Sequence, residues 1–140
     1  MGKLAVAAGV VLLTLGAPLL AQQPPPVMDA GDFLVDGRSF LGKRVTITGC
    51  QFAWSGNDAI TCIAVQGGNL SGGVLINGPT LERESLRRAL RQCPGDPNTK
   101  GTQSECTGYV TGLVYDVFAE LGVPNHPALG IKNATISWLR

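Results

Sequence analysis

Arg44-Val45-Thr46-Ile47-Thr48-Gly49-Cys50-Gln51-Phe52-Ala53-Trp54 is the stretch on which the fold turns. Val45 and Ile47 alternate with Thr46 and Thr48, and β-branched residues at this period favour a pleated, half-buried strand. Gly49 interrupts the strand, as a bend or bulge requires, and Cys50, Phe52 and Trp54 continue beyond it. The whole stretch reads as one long, bent strand. Ser55-Gly56-Asn57-Asp58 is a strong turn cluster, and Ala59–Gln66, carrying Ile60, Cys62, Ile63 and Val65, is the return strand.

Working outward, a glycine-rich turn at Gly67, Gly68, Gly72 and Gly73 leads to a short third strand, Val74-Leu75-Ile76. A helix follows. Thr80 is placed to cap it, Glu82 and Glu84 fall in its first turn, and Arg87, Arg88 and Arg91 cluster near its end, each sign where the helix dipole favours it. Leu86, Ala89, Leu90 and Cys93 recur on one face, and Pro94-Gly95 stops the helix. Thr107 to Tyr115 is a fourth strand. A 14-residue connection from Asp116 to Leu129 leads to a last strand, about Ile131 to Trp138, with Ala134, Ile136 and Trp138 on one side. The order is β-β-β-α-β-β: an all-β chain with one helix.

The chain has 140 residues, 44% apolar and 15% charged, with 19 glycines. That is one domain, too small for an α/β barrel or a full dinucleotide-binding fold and too apolar for a disordered chain. Residues 1–21 have the layout of a secretory signal peptide: Lys3, an uncharged apolar run from Leu4, a break at Gly16 and Pro18, and Ala21 before the cut. The competing reading is an uncleaved membrane anchor, since the uncharged stretch from Leu4 to Ala21 is barely long enough to span a bilayer, but the Gly16–Pro18 break favours cleavage, which would leave no anchor. Cleavage also leaves ten basic residues facing ten acidic ones. A neutral chain lacks the positive excess that phosphate-tracking proteins carry, so bulk charge gives nucleic-acid binding no support. Residues 22–42 form a proline-rich linker and lead-in, in which 27–40 are expected to make a short helix or turn against the domain at 43–140.

The four cysteines agree with export to the periplasm or beyond, where disulfides persist. Eleven residues separate Cys50 from Cys62 and twelve separate Cys93 from Cys106, intervals unlike the close pairs of zinc sites, so no metal is expected. Cys50 and Cys62 flank the Gly56 turn, six residues from it on each side, which would set them directly opposite each other. Cys93 and Cys106 flank a stretch, 94–101, that has no core-forming residue. Two disulfides, 50–62 and 93–106, are expected, as staples rather than nucleophiles.

The opening Leu41-Gly42-Lys43-Arg44-Val45-Thr46-Ile47-Thr48-Gly49 and the later Val110-Thr111-Gly112 resemble the G-K-x-V-x-V-x-G start and the V-x-G fourth strand of exported bacterial OB-fold domains, including those called tRNA-anti-like. The resemblance spans roughly residues 33–138 and implies a five-stranded OB-fold-like barrel. Its cysteine pairs mark a stapled variant. Such barrels bind through the face of their second and third strands and two flanking loops. The resemblance therefore implies a site near Trp54, Phe118 and His126, with Tyr109 from the fourth strand. Large rings such as Trp54 and Trp138 also commonly close the ends of a core.

No catalytic motif appears. His126 is the lone histidine, in Pro124-Asn125-His126-Pro127, and Asp96, Glu105, Asp116 and Glu120 lie in or beside loops without a visible partner. The expectation is a non-catalytic exported binding module, without cofactor, recognising a protein, an envelope component or a small ligand. A single-stranded nucleic acid or oligosaccharide binder is the first alternative, a small exported enzyme the second.

Overall fold

The computed structural model describes residue 2 and residues 22–54, 59–67, 69–93, 104–123 and 128–140. The expected signal segment, the Ser55–Asp58 turn and His126 lie outside them, save Gly2 alone. The strands are β1 (Val27–Asp29), β2 (Arg44–Trp54), β3 (Ala59–Gln66), β4 (Asn69–Asn77), β5 (Thr107–Asp116) and β6 (Leu129–Trp138); the helices are α1 (Ala30–Asp36), α2 (Arg83–Gln92) and α3 (Val117–Glu120).

β2 pairs antiparallel with β3 from Cys50 to Trp54 and with β5 between Arg44 and Gln51. β4 joins β6 in parallel, and β6 returns antiparallel to β5. The circuit β2-β3-β4-β6-β5 therefore closes on itself, an all-β, OB-fold-like five-stranded barrel as the resemblance implies. Closure rests on a short parallel contact, Leu75 with Gly130 and Ile76 with Ile131. Its interior is one continuous core in which Val45, Ile47, Ile60, Val74, Ile76, Val110 and Ile131 are all essentially inaccessible.

The bend in β2 lies where Gly49 required it. Residues 45 and 47 point inward, then 50 and 52, so one extra residue resets the alternation. The pairing with β5 shifts register between Ile47 and Cys50. Gly49 has φ +69°, and a Cβ there would come within 2.5 Å of the Asp29 carboxylate. The other oxygen of that carboxylate accepts from the Gly31 amide at 2.8 Å and caps α1. One bulge thus admits the side chain that starts the N-terminal helix.

Several expectations change in detail. Cys50 and Cys62 are bonded but not directly opposed. Cys50 faces Ala64 and Cys62 faces Phe52, because the hairpin is centred one residue later than Gly56. The cysteines are diagonal neighbours on the core side. In a regular ladder these would be about 7–8 Å apart; next to the bulge their Cα atoms lie at 4.9 Å. The Cys93–Cys106 bond forms as expected, with Cα atoms 5.6 Å apart. The third strand runs the full length of β4 rather than three residues, since Gly72 and Gly73 lie within it, Gly73 facing Ile63 of β3.

Thr80 does not cap α2. It closes a 3-10 turn on Asn77, and Glu82 takes the capping role, accepting from the Glu84 amide at 2.9 Å and the Ser85 amide at 2.8 Å. Those backbone hydrogen bonds hold the Glu82 carboxyl below its ordinary pKa. The inward face of α2 runs along Ser85, Ala89 and Cys93, leaving Leu90 45% exposed. Ser85 tolerates burial because its hydroxyl accepts from the Ile136 amide at 2.9 Å.

The segment 27–40 does more than brace the start of the domain. β1 pairs in parallel with residues 46–48 of β2, and α1 packs on β2, β3 and β4. Phe33 is wholly buried within the barrel core. α2 sits where β2 and β6 finish: the Trp54 amide donates to the Cys93 carbonyl, and the Arg88 guanidinium stacks 4.9 Å over Trp138. Among the described residues no helix is long and apolar enough to cross a membrane. Two disulfides and no free thiol fit a non-reducing environment.

Candidate functional site

One concavity among the described residues is a groove of about 450 Å³ between α1, β4 and the start of β6. Three stretches build it. From α1 come Phe33, Leu34 and Val35, with Arg38 just past the helix end. From β4 come Gly73, Val74 and Leu75. Ala128 and Leu129 enter from the start of β6.

Its floor and rim differ in kind. Phe33 and Val74 are inaccessible and form a floor continuous with the core. Leu34 and Leu75 are more than one-third exposed, and Val35 is 80% exposed. One end is tight: a Cβ on Gly37 would come within 2.9 Å of Leu129 and 3.0 Å of the Phe33 ring, so the backbone leaving α1 must pass close to the start of β6. The volume lies within the range of about 300–1,000 Å³ typical of small-molecule sites.

Arg38 is the one charged residue among those lining the groove. It is exposed and has no ion pair among the described residues. The arginines of α2 are different. Arg87 pairs with Glu84 at 3.3 Å, and Arg88 donates to Gln92 at 2.9 Å while stacking on Trp138. Lys132 and Glu120 also pair, with the Lys132 ammonium over the Tyr115 ring.

The aromatics singled out from the sequence do not share one region, contrary to expectation. Trp54 ends β2 beside Cys93, partly buried against the core. Phe118 follows the end of β5, which lies next to the start of β2, because Arg44 faces Leu113. Antiparallel pairing thus sets Trp54 and Phe118 at opposite ends of β2. Tyr109 lies opposite Ser137 near the beginning of β5 and is 38% exposed. None of the three lines the groove.

Among the described residues no cluster of histidine, cysteine, aspartate or glutamate could hold a metal ion. Gln51 Oε1, on the outward side of β2, is buried without a hydrogen-bond partner among the described residues and does not line the groove. The sequence signal for the groove was Phe33-Leu34-Val35, three consecutive apolar residues bounded by Asp32 and Asp36. A helix can bury only part of such a run, so some of it must face outward. A scan against protein-family models finds no match for this chain, and a search of curated proteins finds no relative.

Proposed function

We propose that this chain is an exported, disulfide-stapled OB-fold-like binding module, of the kind seen in exported bacterial domains, and that its ligand enters the groove beside α1. The observation that carries this reading is the juxtaposition of Leu34, Val35 and Leu75 at the mouth of a concavity whose floor is core. Apolar side chains held partly open around a defined hollow are a recurrent feature of binding sites. The groove depends on α1, an element outside the five-strand pattern. The two staples suit a compartment such as the periplasm or the extracellular medium.

A neutral solvatochromic dye, Nile red, tests the reading. The protein is expected to bind it saturably with enhanced fluorescence. Leu34→Glu, which places a charge on the apolar wall, is expected to weaken the dye about tenfold or more while leaving the melting temperature nearly unchanged, because Leu34 is already 40% exposed. Equal dye affinity in the variant, or no saturable binding at all, would count against the groove as the site.

A further inference from the structure

Resting on that reading, we infer that the groove selects a small amphipathic anion, an unbranched hydrocarbon chain ending in a carboxylate, with Arg38 holding the carboxylate at the rim. The lining side chains set this chemistry. All are apolar except that of Arg38. No lining carboxylate opposes an anion, and no carboxylate pairs with Arg38 among the described residues.

A guanidinium presents a planar fork of donors matched to two carboxylate oxygens. The apolar wall from Phe33 to Leu75 has the opposite requirement: it offers no side-chain donor or acceptor. A hydrocarbon chain asks for neither. One charge among apolar lining side chains therefore matches an occupant polar at one end only.

Arg38 also lies past the C-terminal end of α1, where a cation is favoured whatever the groove binds. The test must separate that structural contribution from ligand contact. Decanoate, decan-1-ol and decyltrimethylammonium share a chain length and differ in head group. Each is titrated below its micellar concentration against the full chain, by displacement of Nile red. Decanoate is expected to bind about tenfold tighter than decan-1-ol, and the cation weakest.

Arg38→Gln is expected to abolish the preference for decanoate over decan-1-ol, and Arg38→Lys to restore part of it. Each variant's own Nile red affinity is measured first and used to convert displacement into chain affinity, and the melting temperature should stay close to the parent in both. Undiminished decanoate binding by Arg38→Gln, or equal displacement by the cationic chain, would overturn the anion inference and leave the groove reading intact. Failure of the dye and all three chains to bind would remove both.

Discussion

Reducing both disulfides is expected to leave the chain largely unfolded at 37 °C. The bonds close loops of similar length, with sequence separations of 12 and 13. Loop-closure entropy assigns each about 3 kcal/mol. The loops do not overlap, so their contributions add to a first approximation, giving about 6 kcal/mol against the 5–15 kcal/mol that stabilises an ordinary domain. Position reinforces the arithmetic. The Cys50–Cys62 bond lies inside the barrel, both residues almost inaccessible, and crosses β2 to β3. The Cys93–Cys106 bond ties the end of α2 to the turn that starts β5. Thermal melts with and without a phosphine reductant measure the effect. Equal melting temperatures would show that strand pairing and core burial suffice alone.

Phe33→Ala is expected to cost about 3–5 kcal/mol, the range for truncating a large aromatic ring in a packed core. This is a large effect for a helix of seven residues. It follows because Phe33 is wholly buried in the same cluster as Val45, Ile47 and Val74. Val35→Ala, two residues away but 80% exposed, should stay within about 0.5 kcal/mol. Urea unfolding of the two variants reads the contrast. A cost below about 1 kcal/mol for Phe33→Ala, smaller than typical core truncations, would mean that α1 rests on the barrel without belonging to its core. The groove would then lose its floor.

The barrel was legible where side-chain alternation was strong. The bounds of β2 and β3 follow from β-branched residues on either side of one turn, and the bend at Gly49 from a glycine inside that run. Both cysteine pairings followed from the turns they flank. Legibility failed where several local signals competed. Asn77, Thr80 and Glu82 can each start a helix, and only the 3-10 turn at 78–80 shows that Glu82 does so. The glycines before Val74 read as a turn, although backbone pairing with β3 needs no side chain.

The candidate groove was the least legible part. Trp54, Tyr109 and Phe118 were the natural choices from an OB-like pattern, whereas the groove is built by a segment outside that pattern. Seven residues are too few to display a helical period, so Phe33-Leu34-Val35 carried no sign of which residue turns inward. His126 lies outside the described residues.

The N-terminal segment builds a groove against β4 and β6, and the proposed function stands or falls with ligand entry there. Backbone amide shift mapping during titration with decanoate tests it most directly. The account predicts saturable shifts concentrated at residues 33–38, 73–75 and 128–129. Saturable shifts centred instead on Trp54 and Tyr109, with residues 33–38 unmoved, would contradict it.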